Sequence, residues 1–146
     1  MLSRPYKLLV VDDDEDACEV ISDMIKACFD SSVLTVVTEA SSIKARKLLE
    51  KGDIKILVTD MNMPYLSGYD LLGDALAYPG CSVIVFTGDM SLSVSLSCFQ
   101  DGACSILSKP VCSEKMEQVI QGIVARLDDW VAVFHEYREP KARRHS

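Results

Sequence analysis

Lys7-Leu8-Leu9-Val10-Val11-Asp12-Asp13-Asp14 is the stretch on which the reading of this chain turns. An apolar run that does not alternate with polar residues is the pattern of a strand buried on both faces, as in a parallel sheet. Here it ends abruptly in three acids. Val33 to Val37, Ile54 to Thr59 and Ser82 to Phe86 share the pattern, and a weaker fifth run covers Ser105 to Leu107. Between them lie segments with helical spacing, such as Val20, Met24, Ile25 and Cys28, then Ile43, Lys47 and Leu48 with Gly52 as a stop. Strand and helix alternate five times. That predicts a doubly wound sheet with helices on both faces, right-handed crossovers and a functional edge at the strands' carboxyl ends.

One segment is ambiguous. Ser91 to Ser97 alternates as a half-exposed strand does, yet the same residues set Leu92, Leu96 and Phe99 on one helical face. A crossover is needed between the fourth and fifth strands, so a helix is expected, marginal because serine is a mediocre helix former.

The 146 residues suit one domain with a single sizeable core, and 49% apolar with 25% charged residues is a globular balance. The net charge of -7 argues against direct nucleic-acid binding, which draws its affinity from basic side chains. The basic stretch Lys141, Arg143, Arg144 is read as a solubilising tail. Leu8 to Val11 is too short for a signal peptide core or a membrane span, so a cytoplasmic protein without membrane contact is expected. Six cysteines without a CxxC pair or clustered histidines read as reduced thiols, mostly small core fillers. His135 stands alone in a helical stretch, a surface or packing residue rather than a metal ligand.

The residues that carry chemistry stand at strand ends. The first strand ends in Asp12, Asp13 and Asp14, the third in Asp60, the fourth in Thr87 and Gly88, and the fifth in Lys109 and Pro110. Carboxylates crowded within about 4 Å repel by roughly 4 kcal/mol per pair at an effective dielectric near 20, so an acidic cluster calls for a cation. Hard oxygen ligands suit Mg2+, which keeps several waters and favours phosphate as a further ligand. Lys109 adds a fixed positive charge, Thr87 a hydroxyl donor, and Gly88 room for close approach. Asp60, alone at its strand end, is the natural nucleophile toward phosphorus, with Asp12 and Asp13 left to hold the metal.

These residues resemble the receiver domain of two-component response regulators, single-domain and chemotaxis-regulator-like, from Lys7 to about Leu127. The likeness rests on Val10 to Asp13, on Asp60 to Pro64 with Ser67 and Gly68, on Thr87 and Gly88, and on Gly102 and Ala103 leading to Lys109 and Pro110. It implies a flavodoxin-like five-stranded parallel sheet of order 2-1-3-4-5 with five flanking helices, an α/β fold. It also implies Asp60 as phosphoacceptor, Asp12 and Asp13 as the metal-binding pair, and Asn62 as a metal ligand through its backbone carbonyl. Thr87 would be the switch hydroxyl and Lys109 the phosphoryl partner. The donor would be a phosphohistidine on a sensor histidine kinase or a histidine phosphotransfer protein. The chain would then be a signalling domain, not an enzyme, catalysing only its own phosphorylation and dephosphorylation. The output would pass through contacts with a downstream protein or through self-association. The resemblance also leads us to expect a cis Lys109-Pro110 peptide, since a cis bond costs little before proline. One departure stands out: the family usually carries Tyr or Phe three residues before the lysine, and this chain has Ile106.

Two other readings compete. Asp12, Asp14 and Asp16 mimic a calcium loop, but Ala17 and Asp23 replace its required glycine and glutamate. A small Mg-dependent haloacid-dehalogenase-like phosphatase using Asp12 would find its second acid in Asp14, but Asp16 stands where that family has Thr or Val.

The last helix is expected from a Ser113 cap to about Tyr137, some 38 Å, longer than the sheet needs. Met116, Ile120, Ile123, Leu127, Trp130, Phe134 and Tyr137 recur at spacings of four and three, the pattern of a helix-pairing seam. The first four can pack on the sheet, and the last three would then need a second copy or a partner helix to cover them. The expected organisation is a receiver domain over 1–127, an extension of the last helix over 128–138 and a basic flexible tail over 139–146.

Overall fold

The five apolar runs form five parallel strands in the order β2-β1-β3-β4-β5, in a computed structural model that describes residues 2–78 and 80–138. The basic tail 139–146 lies outside the described residues. Along the chain the elements are β1 (Tyr6–Val11), α1 (Glu15–Cys28), β2 (Leu34–Glu39), α2 (Ser42–Glu50) and β3 (Ile54–Asp60). They continue as α3 (Gly68–Leu76), β4 (Ser82–Thr87), α4 (Leu92–Gln100), β5 (Ser105–Ser108) and α5 (Ser113–Arg138). Successive strand residues point to opposite faces, so each central strand feeds two cores. Leu8, Val10, Ile56, Val58, Ile84 and Phe86 pack with α1 and α5. Leu9, Val11, Leu57, Val83 and Val85 pack with α2, α3 and α4. Burial on both faces is why the runs do not alternate.

In two helices the inward face is rotated from the one their spacing suggested, although Ile25 is buried as expected and Leu48 packs partly against the core. In α1 the buried residues are Cys18, Ile21, Ser22 and Ile25, while Val20 is exposed. In α2 they are Ser42, Ala45 and Leu49, and Ile43 and Lys47 face solvent. Small residues on the inward face, Cys18 and Ser22 at i, i+4 in α1 and Ser42 and Ala45 at i, i+3 in α2, let each helix lie close to the sheet, which a stripe counted from large apolar residues alone misses. The Ser91 to Ser97 segment is helical, but it seats itself through Cys98 and partly buried Val94. Leu92, Leu96 and Phe99 are left exposed. The cysteines are all free; Cys18 and Cys98 are core fillers, whereas Cys104 and Cys112 lie on the surface.

The last helix starts at Ser113 itself, with the Met116 N–H donating to the Cys112 carbonyl at 3.0 Å. Met116, Ile120, Ile123 and Leu127 are buried against the sheet, while Trp130, Val133, Phe134 and Tyr137 are exposed. Where the helix passes the amino end of β1 it is clasped. The Asp128 carboxylate accepts from Arg4 Nε at 2.9 Å and from the hydroxyl of buried Tyr6 at 2.7 Å. Among the described residues no helix is long and apolar enough to cross a membrane.

Candidate functional site

Parallel strands end on one edge, and their register decides which residues meet there. Val11 pairs with Thr59, Asp60 with Phe86, and Thr87 with Ser108, so Asp12, Asp60, Thr87 and Lys109 all arrive at that edge. Carboxylate oxygens of Asp12, Asp13 and Asp60 lie within 4.8 Å of one another. Asp12 and Asp60 are buried and Asp13 is exposed. The Lys109 ammonium bridges the two buried acids, 3.3 Å from Asp12 and 3.2 Å from Asp60. It also sits over the Phe86 ring at 5.1 Å, an attraction to the ring's electron-rich face that sequence reading missed. The Lys109-Pro110 peptide is cis, as expected.

Local hydrogen bonds hold these groups. Asp14 caps α1 through the Asp16 N–H at 2.9 Å, and the Asp14 N–H donates to Asp12 Oδ1 at 2.9 Å. The capping acid is therefore separate from the clustered ones. Buried Thr87 accepts the Asp89 N–H on its hydroxyl at 3.1 Å, and its carbonyl accepts the Lys109 N–H at 2.8 Å. After β3 the chain folds back so tightly that a Cβ on Gly68 would lie 2.5 Å from the Asp60 carbonyl oxygen. Only glycine permits this approach. The Gly68 N–H closes the loop on the Met61 carbonyl at 2.8 Å, and a reciprocal Ser67–Asp70 capping box starts α3. Asn62 is exposed within that loop.

Burial pushes the Asp12 carboxyl above its ordinary range; the Asp14 N–H opposes this, the Asp60 charge reinforces it, and Lys109 pulls it back. Burial also works against the Lys109 ammonium, but the Asp60 hydrogen bond and the charges of Asp12 and Asp60 outweigh it and hold Lys109 above the usual lysine value. Burial is thus the first influence on both groups, and the two differ in outcome because Lys109 has two buried carboxylates to pair with while Asp12 shares that one ammonium with Asp60. When all are ionised the cluster is left two charges short of neutral, and its donors are hard oxygens, so it fits a divalent hard cation. Asp12, Asp13 and Asp60 are the side chains that would hold one.

A family model described as the response regulator receiver domain matches residues 8–121. Transcriptional regulatory protein GlrR of Escherichia coli (strain K12) is 27% identical over 121 residues, covering 82% of this chain and 26% of that protein. Two-component response regulator ARR11 of Arabidopsis thaliana is 29% identical over 122 residues, covering 82% of this chain and 23% of that protein. The chain thus spans about a quarter of the length of these curated relatives. A crystal structure of a response regulator receiver domain protein from Clostridium thermocellum is 28% identical with a TM-score of 0.73, covering 82% of this chain and 94% of that one. The phosphatase alternative falls with these matches and with the placement of Asp14 at the helix cap, outside the acidic cluster. Fold, strand-end acids and family model agree, and the chain belongs to the response regulator receiver domain family of two-component signalling.

Proposed function

We propose that the domain is a phosphorylation-controlled switch whose phosphoacceptor is Asp60, fed by a sensor histidine kinase or a histidine phosphotransfer protein. The observation that carries this is the Lys109 bridge: one ammonium within 3.3 Å of both buried acids, beside a third carboxylate. In the transfer, an Asp60 carboxylate oxygen forms a bond to phosphorus as the phosphorus–nitrogen bond to the donor histidine breaks. The bonding pair leaves with the imidazole. Lys109 offsets charge on the transferring group, and Thr87, already accepting from Asp89, has its own hydroxyl hydrogen for a phosphoryl oxygen. Mg2+, held by Asp12, Asp13, Asp60 and the Asn62 carbonyl, would supply charge neutralisation for the phosphoryl oxygens. Nothing in this set turns over an external substrate. The domain acts only on its own phosphorylation and dephosphorylation, and it signals by protein contact.

The organisation we propose is a receiver over 1–127 followed by an extension over 128–138 that pairs with a second copy or with a helix of a downstream partner. The exposed Trp130, its ring stacked on Phe134 at 5.7 Å, supports that role for the extension. Exposure to acetyl phosphate with Mg2+, followed by mass spectrometric mapping, tests the phosphoacceptor. Label is expected on the peptide containing Asp60 and absent in Asp60→Asn; a comparable stable label elsewhere in that variant would overturn the assignment.

A further inference from the structure

The loop that follows Asp60 is tied at its base, where Gly68 meets Met61, and again at its tip. At the tip, Tyr65 adopts φ +70°, a conformation that is uncommon for a residue with a side chain. The Leu66 N–H reaches back to the Pro64 carbonyl at 2.9 Å. A positive φ under such a two-residue return bond is a γ-turn of the rare, strained hand. Strain of this kind persists only where surrounding structure holds it.

One side chain does so from another element. Ser42, in the first turn of α2, is 4% exposed. Its hydroxyl donates to the Pro64 carbonyl at 2.8 Å and accepts the Leu66 N–H at 3.2 Å. It therefore spans both ends of the strained turn. Ser42 does not cap its own helix, because Ser41 does that through the Lys44 N–H. The tyrosine ring does not hold the turn in place either, since Tyr65 is 89% exposed.

Asn62 and Met63 lie between the two ties. We infer that Ser42 is a positioning residue of the phosphorylation site, its buried hydroxyl clamping the Tyr65 turn so that the Asn62 peptide is held at the acidic cluster. The inference rests on the proposed reading of that cluster as a Mg2+-dependent phosphoacceptor site. It makes the amino end of α2 part of the site's scaffold, although among the described residues no hydrogen bond or ion pair joins α2 to the acids. A clamp acting through the peptide of one metal ligand should change how tightly Mg2+ binds, and should leave the chemistry at saturating Mg2+ unchanged.

The test uses the whole chain, with Mg2+ alone as the calorimetric probe and acetyl phosphate as the donor. Ser42→Ala leaves Pro64 and Leu66 their mutual bond, so the fold should hold while the turn loses its outside tie. The variant loses both Ser42 bonds, but the Leu66 N–H and Pro64 carbonyl keep each other, so the net cost is on the order of one hydrogen bond and Mg2+ binding should weaken about three- to tenfold, with Asp60 labelling restored at saturating Mg2+. Tyr65→Asn places a residue that tolerates positive φ in the turn. Combined with Ser42→Ala it should return Mg2+ affinity toward wild type, a rescue that a general packing role for Ser42 would not produce. Unchanged Mg2+ affinity in Ser42→Ala, or no rescue in the double variant, refutes the clamp while leaving the phosphoacceptor reading intact. Absence of Mg2+-dependent labelling on Asp60 in wild type removes both. Amide exchange in the wild type gives a check that needs no variant. The Leu66 N–H should be protected without Mg2+, and exchange at the rate of a free loop amide would overturn the clamp.

Discussion

Replacing Asp13 by Asn should make the protein more stable without Mg2+ and less stabilised by adding it. The carboxylate oxygens of Asp12, Asp13 and Asp60 lie within 4.8 Å of one another, but the Lys109 bridge joins only Asp12 and Asp60. Asp13→Asn therefore removes two repulsions and breaks neither arm of that bridge. Asp13 is exposed, so a water-like dielectric applies, and at 4.8 Å each pair contributes about 0.9 kcal/mol. Screening with a Debye length of about 8 Å at physiological salt reduces the two together to about 1 kcal/mol. That corresponds to a rise of about 2–4 °C in melting temperature for a domain near this size. On the proposed reading, Mg2+ binding to the folded state stabilises it by RT ln(1 + c/Kd) at free Mg2+ concentration c, and the variant, which offers a neutral amide oxygen in place of one carboxylate, gains less. The order of stabilities should therefore narrow or invert as Mg2+ rises. Urea denaturation followed by circular dichroism, with chelator and across a Mg2+ series, reads this directly. Repeating it in about 1 M salt should erase the advantage seen in chelator. A variant less stable than wild type in chelator, or an equal Mg2+ gain in both proteins, would refute the reasoning.

Lys109→Ala should bind Mg2+ at least as tightly as wild type by calorimetry, because it removes a competing cation. Its labelling of Asp60 should slow about a hundredfold, the scale of losing one charge-stabilising donor; weaker Mg2+ binding would contradict this. At the other end of the molecule, the Arg4 hydrogen bond, with Tyr6 assisting, holds the Asp128 carboxyl below its ordinary value. A depressed folded value means stability that is present above the unfolded value near about 4 and lost as pH falls through the folded one. The stability gap between wild type and Asp128→Asn should therefore be open at neutral pH and close in acid; urea midpoints with a constant gap would refute it. Changing Trp130 and Phe134 to polar residues should convert any dimer to monomer while Asp60 still labels. Light scattering that shows a monomeric wild type at high concentration, phosphorylated or not, would exclude self-pairing.

The strands were legible because burial on both faces leaves unbroken apolar runs, and all five begin and end within two residues of the expected bounds. The site acids were legible for a topological reason. In a parallel sheet every strand's last residue reaches the same edge, so Asp12, Asp60, Thr87 and Lys109 could be gathered without knowing a single contact. Helix faces were harder to read, since Val20 and Ile43 count as apolar on paper but lie on the wrong side of helices seated by Cys18, Ala45 and serines. Ser42 was not legible at all. Its partners stand 22 and 24 residues away, and a serine beside another serine at a helix start reads as a cap. The Lys109–Phe86 contact escaped for a related reason, as Phe86 looks like any core residue of β4 until the lysine is folded over it.

The acidic cluster and the exposed aromatic stripe lie at opposite ends of one helix, and this limits how they can communicate. The helix α5 starts four residues after Lys109, at the carboxyl edge of the sheet, and meets Arg4 and Tyr6 at the amino edge through Asp128. From Ser113 to Asp128 is about 22 Å along the axis at 1.5 Å per residue. A phosphoryl group on Asp60 therefore cannot touch the extension of its own chain. It can bear on Lys109, whose ammonium it would draw from Asp12, and Lys109 is tied through its N–H to the Thr87 carbonyl. Between Lys109 and the start of α5 lie only Pro110, Val111 and Cys112, and beyond them α5 is packed against the sheet through Met116, Ile120, Ile123 and Leu127. A displacement at Lys109 has a short, stiff path into the helix, and the Arg4–Asp128–Tyr6 clasp fixes where that helix leaves the body. Whatever surface Trp130, Phe134 and Tyr137 present is therefore oriented by the receiver itself and does not hang from a free tether.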